Sequence, residues 1–269
     1  MAQIRNLTLT ALVVIALLLL VSDVARADSI TNDSATLRIE DDGAHMRVAS
    51  SSSLQLTGSM TIEMWARFDP LDATPGAEIV KRGDSNQGYG LGVNPGTRVA
   101  GGLFGQSSNL VSSPPDFSSG WHHFAWTYDG STSTLYFDGS LLQQLSYTGS
   151  AGLTASDLFV GIGIEGDGTW NGATAQGWYD EIRIWNVART AAQIESTWTG
   201  SLAGNESGLV GYWNFNSGTA SDATSFGNHG ELFNGAVVVP VPEPVSLMLV
   251  GVGVMGIAWG RRRSSRGTV

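Results

Sequence analysis

Cysteine is absent from all 269 residues. That excludes disulfides, thiolate nucleophiles and thiolate metal centres, so the fold must hold by its core alone. Basic charge is scarce as well: 14 Lys and Arg stand against 24 Asp and Glu, a formal net charge of −10. The deficit deepens in the middle of the chain. Between Asp28 and Gly260 lie 8 of the 14 basic residues and 23 of the 24 acids, a formal charge of about −15. A body of that sign repels nucleic acid and anionic lipid, and it favours solubility and cation binding.

Glycine, by contrast, is abundant: 35 residues in a chain that is 42% hydrophobic. This composition suits one all-β domain with appendages, and both ends are set apart from the middle. The opening, "MAQIRNLTLTALVVIALLLLVSDVARADS", places Arg5 ahead of a mostly apolar run from Leu9 to Val21. Ala25-Arg26-Ala27 then supplies the small residues of an A-x-A cleavage site. The pattern is that of a secretory signal peptide over residues 1–27, cut before Asp28, with an uncleaved anchor as the alternative. At the far end Val245 to Trp259 carries no charge. As a helix that stretch spans about 22 Å against about 30 Å of hydrocarbon, short for a permanent membrane span. Pro244 precedes it and Gly260 follows. Arg261, Arg262 and Arg263 would stay cytoplasmic by the positive-inside rule, leaving the body outside.

The residues "VPEP", the apolar stretch and the arginine cluster resemble, in that order, the PEP-CTERM sorting signal of Gram-negative bacteria. The resemblance implies that an exosortase-type enzyme recognises the motif at the inner membrane and removes the tail. Pro242, Glu243 and Pro244 become the recognition triplet, 245–259 a transient membrane helix, and Arg261 to Arg263 its stop, all within 240–264. An ordinary tail anchor is the alternative.

Residues 28–239 read as strands parted by turns. In "TIEMWARF", Ile62, Met64, Ala66 and Phe68 alternate with Thr61, Glu63, Trp65 and Arg67. "WHHFAWTY" and "STSTLYFDGSLLQQLSY" read as consecutive strands joined by Asp129-Gly130 and Asp138-Gly139, both favoured hairpin dipeptides. Further strands are expected at "EIVKR", "YGLGV", "RVAGGLF", "LFVGIG" and "WYDEIRIW". One helix is expected, from Thr190 to about Trp198, where Ala191, Ile194 and Trp198 recur at helical spacing. Many short strands with Gly, Asp and Ser turns argue for an all-β sandwich or jelly roll without a second domain. Four stretches carry a resemblance in order: "LRIEDDGAHMRVASSSSLQLTGSMTIEMWARF", "WHHFAWTYDGSTSTLYFDGSLL", "GWYDEIRIWNVARTAAQI" and "GLVGYWNFNSGTASDATSFGNHGELFNGA". Together they resemble a laminin-G-like, concanavalin A-like jelly roll. The resemblance implies two antiparallel sheets packed face to face, frequent binding of carbohydrate or protein, and often a structural calcium ion.

Catalysis finds little support. Retaining glycoside hydrolysis needs two carboxyls about 5–5.5 Å apart. The glycosidases that share this fold carry E-x-D-x-x-E on one strand, and that motif is absent here. "GIGIEG", 161–166, matches a dinucleotide fingerprint, but "DGTWNGATAQG" follows it and reads as a loop rather than a helix. His122 and His123 are strand neighbours on opposite faces and read as structural. Asp180 is more informative. By alternation it shares the core face with Ile182 and Ile184, while Tyr179, Glu181, Arg183 and Trp185 take the other side. A carboxylate there needs a partner, so one Ca²⁺ held by Asp180, Asp42 and nearby carbonyls is one expectation; a hydrogen-bonded structural Asp180 is the other. The loop from Ile164 to Gly177 is the candidate ligand site, with Trp170 as a flat face for a sugar and Asp167 and Asn171 as hydrogen-bonding groups. The alternative has Trp170 folding back as a cap. The expected protein is an exported, non-catalytic binding or structural component that attaches to polysaccharide or matrix protein, in the envelope, matrix or medium. One rival is a glycan-active enzyme; the other is a passive matrix component with no small ligand.

Overall fold

The structure, a computed structural model, describes residues 34–68, 77–83, 87–94, 98–104, 110–113, 117, 120–152, 155–164 and 170–240. Among them two antiparallel sheets form a sandwich. The strands are β1 Ala35–Ile39, β2 His45–Val48, β3 Met60–Phe68, β4 Ala77–Gly83, β5 Gly88–Asn94 and β6 Arg98–Leu103. They continue as β7 Leu110–Ser112, β8 His122–Tyr128, β9 Thr132–Phe137, β10 Ser140–Ser146, β11 Leu158–Val160, β12 Ile162–Ile164 and β13 Trp170–Thr174. Last come β14 Gly177–Trp185, the helix α1 Ala191–Thr197, β15 Leu209–Trp213, β16 Gly230–Phe233 and β17 Val237–Pro240. One sheet runs β10-β9-β8-β3-β14-β1-β17 with β15 also on β14; the other runs β16-β2-β11-β4-β5-β6-β7. β14, β16 and β17 therefore return to early strands, with β15 added to β14, which makes this a jelly roll.

Alternation builds the core. Met60, Ile62, Met64, Ala66 and Phe68 of β3 turn inward and are buried with Phe124 and Trp126 of β8 and with Met46, Leu91 and Val160 of the facing sheet. The sheets meet closely at Gly101 on β6, where a Cβ would lie 2.5 Å from the Trp126 ring of the opposite sheet. The indole occupies the place a side chain would need. The two expected hairpins form. Asp138 and Gly139 both adopt positive φ, 48° and 73°, the two-residue turn whose twist matches that of its strands. Asp129 instead accepts three hydrogen bonds with its side-chain oxygen, from the Ser131 and Thr132 N–H groups at 2.7 Å and the Ser131 hydroxyl at 2.8 Å. The expected helix forms and is capped at Thr190: Gln193 N–H donates to Thr190 Oγ1 at 3.3 Å, and Thr190 N–H donates to Gln193 Oε1 at 2.8 Å.

Three expectations change. "LFVGIG" is two strands, since Gly161 at φ 86° ends β11 and β12 starts a separate two-stranded hairpin with β13. Residues 170–174, expected as loop, form that partner strand. The alternation in "YDEIRIW" also breaks. Asp180 pairs with Trp65 and Arg183 with Glu63, so three steps on β14 match two on β3. The extra residue is a β-bulge at Glu181, φ 50°. It puts Tyr179 on the core side with Ile182 and Ile184. Asp180 joins Trp65, Glu63 and Arg183 on the outer face instead.

Candidate functional site

The outer face of the first sheet is buried where the chain after β14 lies across it. Ile194 of α1 packs on Ala125 and Tyr136. The Trp65 indole donates to Trp198 O at 2.7 Å and stacks on the Trp198 ring. Beneath this cover sits an ionic network. Glu63 Oε1 accepts from the Trp185 indole at 2.7 Å and the Arg189 guanidinium at 2.6 Å. Arg189 also donates to Gln193 O and Thr197 Oγ1, each at 2.8 Å, which pins the helix to the sheet. Arg183 donates to Glu181 and to the carbonyls of Thr197 and Gly200, and Tyr212 donates its hydroxyl to Glu181. His123 Nε2 lies 3.4 Å from Glu63 Oε2, a close polar contact without the alignment of a full hydrogen bond.

Burial opposes ionisation of Glu63, but the His123 contact and the positive Arg183 and Arg189 outweigh it and hold the group at about 2. Burial pushes His123 below its ordinary value, against the pull of Glu63. Glu63 is thus a fixed anion sealed from solvent. A general acid needs a protonated group near neutral pH within reach of substrate, and this one meets neither condition.

A second feature opens to solvent. A groove of about 350 Å³ runs beside the short 3-10 turn Ser52–Leu54, between the 52–59 segment on one bank and Asn186 and Phe226 on the other. Leu56 and Val210 form its buried floor. Its walls carry the hydroxyls of Ser52, Ser53, Thr57 and Ser59 and the amides of Gln55 and Asn186, with no charged residue among those lining it. Phe226 is 53% exposed. It stands on a loop built around the buried Asp222 carboxylate, which accepts from Tyr212 N–H at 3.1 Å, Thr224 N–H at 2.9 Å, the Thr224 hydroxyl at 2.8 Å and Asn228 N–H at 2.8 Å. Asn228 ties the banks together: its amide donates to Val210 O at 2.7 Å and Ser53 Oγ at 3.0 Å, and accepts from Ser51 at 2.6 Å.

The residues expected to hold calcium do not come together. Asp42 accepts from the Gln176 side chain at 3.3 Å. Asp180 lies four residues further along β14, about 13 Å of extended chain away. One ion with oxygens at about 2.3–2.6 Å does not bridge that gap. Asp180 Oδ1 accepts the Glu181 N–H at 2.8 Å, within the bulge. Among the described residues no three His, Cys, Asp or Glu side chains cluster as a metal site. Asp167 lies outside the described residues, as do Ala25, Ala27, Pro242, Glu243, Pro244 and Arg261 to Arg263. Trp170 and Asn171 open β13, paired with β12, and their side chains also lie outside the description. Val245 to Trp259 is likewise outside; among the described residues no helix is long and apolar enough to cross a membrane. The groove was missed by sequence reading. Its signals were present: a run rich in Ser and Thr around Leu54 and Leu56, and a lone Phe226 among turn residues that do not alternate.

Two antiparallel sheets in a jelly roll, with loops shaping an open polar groove at the edge, define a lectin-type sandwich. The chain belongs to the concanavalin A-like lectin/glucanases superfamily, whose laminin-G-type family model matches residues 40–195. The PEP-CTERM protein-sorting motif matches residues 240–263. No curated protein matches the sequence. Among solved structures, a candidate carbohydrate-binding protein from Bacteroides ovatus superposes with a TM-score of 0.61 at 20% identity, over 79% of this chain and 61% of that one. A heptameric SAP-like pentraxin from Limulus polyphemus gives 0.57 at 16% identity, over 77% of this chain and 95% of that one. The sialidase module CBM40 of Ruminococcus gnavus, bound to α2,3 sialyllactose, gives 0.50 at 11%, over 60% and 95%. These identities establish the shared fold alone.

Proposed function

We propose that this chain is an exported, non-catalytic binding or structural protein of the bacterial envelope or extracellular matrix. Its body attaches to carbohydrate or protein, and an exosortase-type enzyme removes its tail at the inner membrane. The observation that carries this reading is a sorting motif placed directly behind a lectin-type sandwich. The carbohydrate-binding description of the Bacteroides ovatus protein and the CBM40 likeness support a glycan as partner. Intact-mass analysis of fractionated cells tests the sorting, with material lacking Arg261 to Arg263 as the expected result; an intact C-terminus throughout overturns it. A glycan array beside a sugar-release assay tests the rest. Binding without release is expected, and release of sugar would establish the glycan-active enzyme instead.

A further inference from the structure

We infer that the groove between the 52–59 segment and Phe226 is a subsite for a neutral polysaccharide chain, with the Phe226 ring as its stacking platform. This rests on the binding role just proposed and locates it away from the 164–177 segment singled out in the sequence. Three observations carry it. The first is charge: a body of about −15 presents here a groove whose lining has no Asp, Glu, Lys or Arg. An acidic glycan or a charged peptide finds no counter-charge, whereas a neutral sugar requires none. The second is hydrogen bonding. Four hydroxyls and two carboxamides line the groove, groups that both donate and accept, and of these the Ser53 hydroxyl is already engaged by Asn228. Sugar hydroxyls have the same dual character, so they can pair with such a wall in several registers. The third is the aromatic. A phenyl ring 53% exposed stands on a loop fixed by four hydrogen bonds to Asp222, so the backbone that carries it is set before any partner arrives. Pre-ordering removes part of the entropy cost of binding. The apolar floor is only Leu56 and Val210, too small to seat an amphipathic helix, and the groove is open to solvent.

Two substitutions test this on the mature protein purified from cells. Phe226→Ala removes the platform. Gly58→Trp fills the groove: a Cβ at Gly58 meets nothing within 4 Å, and the residue is not in the left-handed region, so the fold has room for it. The probes are dextran, laminarin and cellohexaose as neutral glycans, polygalacturonate as an acidic one, and gelatin as a protein, read by isothermal titration with melting temperature as a control. At least one neutral probe should bind. Phe226→Ala should weaken it about tenfold, the loss expected when half a phenyl ring is no longer buried. Gly58→Trp should abolish binding, and both variants should melt as the parent does. Undiminished binding of a neutral glycan by both variants overturns the groove but leaves the binding role standing. Binding of polygalacturonate or gelatin alone, or of no probe, overturns the neutral-glycan subsite outright.

Discussion

Glu63 shows how much a single residue decides here. It is fully buried, yet it touches Trp185, Arg189 and His123 at once. Removing one partner of a buried ion pair leaves the other charge without water or a counter-ion, a cost of about 3–5 kcal/mol. Glu63→Ala should therefore lower stability by about that amount, read as a shift in the urea midpoint at constant slope, and Glu63→Gln should fall between. Acid should act on the same cluster in two stages. His123, facing Glu63, Arg183 and Asp138, titrates below 6.5 in the fold. The unfolded chain thus takes up more protons as pH falls below about 6.5, and stability declines from there. Glu63 is held at about 2 in the fold against an ordinary 4.5, so its contribution is complete above 4.5 and lost as pH falls from there toward about 2. Urea midpoints measured between about pH 7 and 5 should drop in the parent and stay nearly level in His123→Gln, which removes the upper stage.

At the scale of elements, alternation was a sound guide wherever one residue of a strand faced one residue of its neighbour. It located β3, β8, β9 and β14, and the helical spacing of Ala191, Ile194 and Trp198 located α1. It failed at Glu181, because a bulge inserts a residue and reverses every parity on one side of it. That is why Asp180 was assigned to the wrong face and to a shared ion with Asp42. Nothing local in "YDEIRIW" marks the bulge; the reason lies in the pairing with β3 and in the Glu181–Arg183–Tyr212 contacts made by the returning chain. The outer face of β3 is buried as well. The segment after β14 covers Thr61, Glu63 and Trp65, which strand alternation alone does not reveal. The groove escaped because its banks come from stretches far apart in sequence, brought together by Asn228 and Asp222. Sheet spacing also depends on one small residue. Gly101→Ala would force a methyl group to 2.5 Å from the Trp126 ring. Overpacking of that kind costs about 1–3 kcal/mol, and thermal unfolding of the variant should occur several degrees lower, with the near-ultraviolet signal of the tryptophans altered.

For the molecule as a whole, the cysteine-free chain relies on two sheets sharing one continuous core, and the family match stops at residue 195. The strands beyond it are not an appendix. β15 extends the pairing of β14, β16 borders β2, and β17 lies against β1. The fold is therefore closed by segments that a family match alone would leave out. Deleting residues 230–240 should expose the edges of both sheets, at β1 and β2, and increase aggregation over the parent, measurable by light scattering at equal concentration.

The β1–β17 pairing has a mechanical corollary. Pro240 sits opposite Ala35, so the chain enters and leaves the body at the same corner, and the pairs Thr36↔Val239, Leu37↔Val238 and Arg38↔Val237 follow behind it. A pull on the tail would strain these pairs one at a time, in zipper fashion, and would not shear all four together. The last strand would tear away as a strip while the rest of the sandwich kept its grip.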